Sequence, residues 1–112
     1  MTKNFNDSEF KCKHCGELKI SSELVAVLEL VRLKFRKPVV ITSGYRCSVH
    51  NKAVGGSPSS KHLSGIAADI KVKGVAPFKV FDFLDDTFPD CYGIGLYNSW
   101  VHIDVRSTRG RW

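Results

Sequence analysis

Two histidines and two aspartates stand where a pleated backbone can bring them together. In Trp100-Val101-His102-Ile103-Asp104-Val105, apolar and polar residues alternate. A strand with this pattern puts Val101, Ile103 and Val105 on one face and Trp100, His102 and Asp104 on the other. The apolar trio belongs in a core, so His102 and Asp104 share the opposite side, beside a tryptophan. A solvated strand face more usually carries Lys, Thr or Glu. Ala67 to Val72 repeats the logic: Ile70 and Val72 face the core, and Asp69 and Lys71 turn away. If the two strands are neighbours, Asp69 and His102 stand opposite each other, about 5 Å apart at Cβ. His62 precedes Asp69 in the loop that feeds its strand. Gly65 lets that loop turn, and Ala67 and Ala68 leave the approach uncrowded. His62, Asp69 and His102 are thus able to meet at one point.

Two imidazoles and a carboxylate are borderline-hard ligands that suit Zn²⁺. Three protein ligands leave a fourth position for water, which a zinc ion makes acidic enough to act as a nucleophile near neutral pH. Spacing alone leaves a plainer alternative open, with His62 a loop histidine and Asp69 a cap or a partner of Lys71.

The elements that position these residues follow from capping and periodicity. Ser21-Ser22-Glu23 precedes Leu24, Val27, Leu28, Val31 and Phe35 at helical spacing, and Pro38 stops the run, predicting a helix from about 22 to 36. Val39 to Thr42 is a β-branched run bounded by Pro38 and Gly44, hence a buried strand. Ser48 to Val54 reads as a short helix ended by Gly55-Gly56, and Ser57 to Ser60 as loop. Pro77 opens a second long helix, with Phe78, Phe81 and Leu84 on one face. Gly93 to Tyr97 and Trp100 to Val105 are the remaining strands. The expected fold class is α+β: helices packed on a small, mostly antiparallel sheet, with the zinc site in a groove on that sheet. The 112 residues, without repeat or linker, are expected to form a single domain, 1–112.

Composition narrows the partners. Apolar residues make up 43% and charged residues 25%, which excludes a disordered chain, a collagen-like repeat and a coiled coil. No stretch approaches the roughly 20 apolar residues that span a bilayer, so no membrane insertion is expected. Met1 to Asp7 lacks the apolar segment of a secretion signal, which implies synthesis in the cytoplasm. The net charge of +6 favours anionic polymers. The positive residues are scattered among Lys11 and Lys13, Arg32 to Lys37, and Arg106 to Arg111, and aromatic residues are not interleaved with them. A specific nucleic-acid surface is therefore not expected. Cys12-Lys13-His14-Cys15 is a C-x-x-C, and with Cys47 and Cys91 it offers a structural zinc site, a disulfide or buried thiols.

The motif Ser60-Lys61-His62-Leu63-Ser64-Gly65-Ile66-Ala67-Ala68-Asp69 reads S-x-H-x-x-G-x-A-x-D. Downstream, His102-Ile103-Asp104 reads H-x-D, and upstream Ser43-Gly44-Tyr45-Arg46 reads S-G-Y-R, with His50-Asn51 after it. From about Phe5 to Arg106 the chain resembles the M15 zinc peptidases. That family includes D-Ala-D-Ala carboxypeptidases, D,D-dipeptidases and phage endolysins. The resemblance implies one catalytic zinc held by His62, Asp69 and His102. It implies that Arg46 binds a substrate carboxylate or polarises the scissile carbonyl, and that Ser60, Tyr97 and Trp100 border the substrate. Several M15 branches place an acid or histidine shortly before the third ligand. Here Tyr97 to Trp100 contain neither. Asp104 is the leading carboxylate for a general base, or else a group that orients a ligand. His50 and Tyr97 follow as weaker base candidates.

The expected activity is zinc-dependent hydrolysis of peptidoglycan stem peptides, of the carboxypeptidase or endopeptidase type, by a monomer that reaches the wall after release, as in phage lysis or from a virion. The alternative is an M15-like module that holds zinc and recognises a cell-wall peptide or protein without cleaving.

Overall fold

The structure, a computed structural model, describes residues 2–112. Five strands form one sheet in the order β1-β2-β4-β3-β5: β1 (Val39–Ser43), β2 (Ala67–Val72), β3 (Gly93–Leu96), β4 (Val101–Asp104) and β5 (Gly110–Arg111). All pairings are antiparallel except β3 with β5. The helices are α1 (Ser22–Phe35), α2 (Ser48–Ala53) and α3 (Pro77–Thr87), with short 3₁₀ turns at Asp7–Glu9 and Lys61–Ser64. The α+β class and the mostly antiparallel sheet match the expectation from sequence.

The Ser21 hydroxyl caps α1 by accepting from the Leu24 N–H at 3.3 Å. Leu24, Val25, Val27, Leu28 and Val31 are buried along one side of that helix, each such side chain contributing about 1.5–3 kcal/mol of burial. Arg36 takes the left-handed conformation, φ 55°, so α1 ends at Phe35, one residue before the predicted limit and three before Pro38. In α3 the expected stripe is shifted. Val80 and Leu84, four apart, occupy the buried seam, Phe81 is half-buried and Phe78 faces solvent.

The pleat sorts the sheet's side chains into two faces. Ala68, Ile70, Val72, Ile94, Val101 and Ile103 join α1, Val80 and Leu84 in the core. Asp69, His102 and Asp104 lie on the other face. Register does the rest: His102 sits directly between Asp69 of β2 and Gly95 of β3. The two-residue strand β5 has no counterpart in the sequence reading, because it is too short to show alternation. It pairs Gly110 with Gly93 and Arg111 with Ile94, and brings Trp112 alongside Gly95. No described helix is long and apolar enough to cross a membrane.

One contact ties α1 to the entrance of β3. The Tyr92 hydroxyl donates to Glu23 Oε2 at 2.6 Å, and this bond, helped by burial, pushes the phenol up to about 12. An unfolded tyrosine titrates near about 10. The contact's contribution is therefore whole below about pH 10 and is lost as the pH rises toward the folded value. Stability curves of wild type and Tyr92→Phe should run parallel up to about pH 10 and converge above it. Curves that stay parallel to the alkaline limit would show that the phenol proton does not stabilise the fold.

Candidate metal centre

The three residues expected to meet do meet. A ring nitrogen from each histidine and one oxygen of Asp69 all lie within 4.8 Å of one another. Asp69 Oδ1 is 3.3 Å from His62 Nε2 and 3.2 Å from His102 Nδ1. The two imidazole rings meet edge to face, with centroids 5.2 Å apart. All three residues are at least nine-tenths buried, yet they line a groove of about 590 Å³.

Each imidazole is held from behind. His62 sits in the 3₁₀ turn, whose cap is the Ser60 hydroxyl accepting from the His62 N–H at 3.2 Å. Gly65, φ 74°, ends the turn so that β2 can begin. The His62 Nδ1 lies 2.7 Å from the Gly44 carbonyl. A carbonyl only accepts, so Nδ1 carries a proton, and Nε2 is the nitrogen that faces Asp69. Gly44 must be glycine: a Cβ there would lie 2.7 Å from the Phe10 Cα.

His102 shows the mirrored arrangement. Its Nε2 lies 2.7 Å from Asp104 Oδ2, which leaves Nδ1 facing Asp69. Asp104 is itself fully buried and clamped by Arg106, whose Nε donates to Oδ1 and Nη2 to Oδ2, both at 2.7 Å. Burial opposes ionisation of Asp104, but the bonds from His102 and Arg106 outweigh it and hold the carboxyl well below the usual range. For Asp69, burial is likewise outweighed by the bonds from His102 and His62. His102 is pushed upward despite its burial, because Asp104 and Asp69 both bond to it.

The donor set therefore fits a cation. With His62 protonated on Nδ1 and His102 on Nε2, the near nitrogen of each ring and one carboxylate oxygen converge, and a cation bound there takes the place of the protons that otherwise bond the rings to Asp69. A zinc ion suits that set.

Arg46 lies beside it. Its Nη2 donates to Asp69 Oδ2 at 3.2 Å, its Nε to Ser43 Oγ at 3.0 Å and its Nη1 to Asn51 Oδ1 at 3.3 Å. Three of the five guanidinium N–H groups are thus used, and the remainder belong to a side chain that lines the groove. Ser60 lines the groove as well. Tyr97 and Trp100 stack in parallel, centroids 4.5 Å apart, and form part of its wall.

Three expectations need correction. Asp104 cannot serve as a base toward the groove, because both its oxygens are occupied and it has no exposed surface. His50 does not line the groove; its backbone N–H lies 3.4 Å from Cys47 Sγ. The cysteines do not assemble as four: Cys12, Cys15 and Cys47 cluster, while Cys91 sits apart, its carbonyl accepting from Arg111.

A family model described as Peptidase M15 matches residues 2–104. The chain belongs to the peptidase M15 family. No curated protein matches it. Membership of M15 makes this a peptidase-type domain. Within this M15 domain, sequence reading passed over Arg106 and Trp112. The Trp112 indole packs over His102, centroids 5.1 Å apart, with the Arg106 guanidinium on the indole, 5.2 Å from its centroid. Gly95 makes room, since a Cβ there would lie 2.4 Å from the indole nitrogen. For Arg106 a signal existed: it stands two residues after Asp104, where a strand returns to the same face. Trp112 left none, because its approach depends on the pairing of β5.

Asp104→Asn keeps the shape but loses the charge that holds His102 Nε2–H and Arg106. Zinc affinity, measured by competition with a chromophoric chelator, should weaken about 10–100-fold, as for other groups that orient a metal-binding histidine. An unchanged affinity in a folded variant would show that Asp104 does not orient the ligand.

Proposed function

We propose that this M15 domain uses zinc, held by His62, Asp69 and His102, to hydrolyse amide bonds in peptidoglycan stem peptides. The observation that carries the reading is the convergence of those three lone-pair donors in an open groove, each histidine fixed by a bond to its far nitrogen. Zinc bound there supplies Lewis acidity that activates water and polarises the scissile carbonyl.

The chain's own groups define the rest of the site. Arg46 offers its unused N–H groups to a substrate carboxylate or to the carbonyl oxygen as charge develops on it. Ser43, Asn51 and Asp69 hold the guanidinium so that little ordering remains to be done when substrate arrives. The Tyr97–Trp100 stack gives the substrate a flat apolar wall. The Tyr97 oxygen accepts from Trp112 Nε1 at 3.0 Å, so the phenol keeps its own proton available to substrate. Trp112 covers one side of His102 and limits water there. The +6 charge aids approach to an anionic wall, in keeping with a lytic protein that acts after release.

One observation favours a second reading. Among the described residues that line the groove, Asp69 is the sole carboxylate, and it faces the two histidines. A domain that holds zinc and binds a wall peptide without cutting it needs nothing more than this set.

Purified muropeptides decide between the two. Incubation with the zinc-loaded protein should release new amino groups at a D-Ala-D-Ala, L-Ala-D-Glu or cross-bridge bond, and a chelator or His62→Ala should abolish the release. Retention of muropeptides with no new amine at any of these bonds would overturn the peptidase reading in favour of the module. Arg46→Ala should lower kcat by about 10²–10³, the usual effect of removing one donor to a developing oxyanion.

A further inference from the structure

A second set of metal-binding side chains lies outside the groove. Cys12 and Cys15 belong to the loop between the Asp7–Glu9 turn and α1, and Cys47 is the N-cap of α2. Their three sulfurs lie within 4.8 Å of one another. The loop is closed tightly around them: the Cys12 N–H donates to the Glu17 carbonyl at 2.8 Å, and the Gly16 N–H to the Cys12 carbonyl at 2.9 Å. Backbone donors point at the sulfurs. The Cys47 N–H lies 3.4 Å from Cys12 Sγ, and the His50 N–H 3.4 Å from Cys47 Sγ. Hydrogen bonds of this kind favour sulfur in its charged form.

Three sulfurs at one point are more than a disulfide needs, and one would be left over. They are also too exposed on one side for simple core filling: Cys12 is buried, Cys47 half-buried and Cys15 exposed. Three thiolates are, however, three corners of a tetrahedral zinc site.

We propose that Cys12, Cys15 and Cys47 bind a second, structural zinc ion, the fourth corner going to solvent. Three S–Zn bonds form, and the three thiol protons pass to solvent. The ion joins the N-terminal segment to the start of α2. That junction matters to the groove. Cys47 follows Arg46 directly, the Tyr45 N–H donates to the Phe10 carbonyl at 2.9 Å, and the Arg46 N–H donates to the His62 carbonyl at 3.2 Å. The zinc is thus a crosslink behind the loop that carries Arg46.

The test uses the full chain with the groove ligands removed, His62→Ala with His102→Ala, purified under reductant and supplied with zinc. About one zinc per chain should remain, and cobalt exchanged into this variant should give the strong thiolate-to-metal charge-transfer absorption of a sulfur-ligated ion. Adding Cys47→Ser should remove the metal and the band. Cys15→Ser, at an exposed position, should do the same if Cys47→Ser fails to fold, and Cys91→Ser should change neither. Three of the four thiols should resist alkylation until a chelator is added. A metal-free groove variant whose thiols all alkylate at once would overturn the proposal, as would an intact mass short of two hydrogens, the mark of a disulfide. Failure of the groove site reads differently: wild type and groove variant would then carry the same amount of metal.

Discussion

Three groups held so that each can offer a lone pair to one point are the constraint on which this structure turns. Had either histidine been free to rotate, its nitrogens would not be sorted into one for the metal and one for the protein. The Gly44 carbonyl and the Asp104 carboxylate hold each ring by its far nitrogen, so that the near nitrogen always faces Asp69. A buried carboxylate between two imidazoles needs positive charge beside it, whether from protons on the rings or from a metal ion. Arg46 supplies part of that charge from the outer oxygen of Asp69. The inner oxygen is left for a cation. The fold thus sets the ligands in place beforehand, and an ion entering the site displaces protons as it binds.

The sheet's register creates this constraint and its glycines make it fit. Asp69 and His102 are direct cross-strand partners, so their separation is set by the ladder and not by side-chain reach. On the far side of β4, Gly95 takes the third position and leaves its place to the Trp112 indole. The same pleat that sends Val101 and Ile103 into the core puts His102 and Asp104 on the opposite face, His102 at the groove and Asp104 buried behind it. Core packing and metal site are two faces of one strand. A slip of one residue would exchange them.

Much of this was legible in the sequence because it depends on period two. The alternation in Trp100–Val105 and in Ala67–Val72 told both faces apart, and the turn signals around Gly65 placed His62 near Asp69. What remained hidden depends on contacts between distant segments. The role of Asp104 hinged on Arg106 filling its remaining lone pairs. The gathering of Cys47 with Cys12 and Cys15, and the exclusion of Cys91, followed from how the loop before α1 docks on the start of α2, which no periodicity records. Trp112 reached the site through a strand of two residues. In α3 the choice of Val80 over Phe78 for the buried seam was a matter of helix rotation, which a short apolar stripe leaves loose.

Zinc-edge anomalous diffraction from crystals grown with the metal addresses the central claim most directly. The expected map holds a peak in the groove bonded by His62 Nε2, His102 Nδ1 and the Asp69 carboxylate, at about 2.0–2.2 Å from each. A groove without a peak in zinc-saturated crystals, or an ion reached through His62 Nδ1 or His102 Nε2, would contradict it.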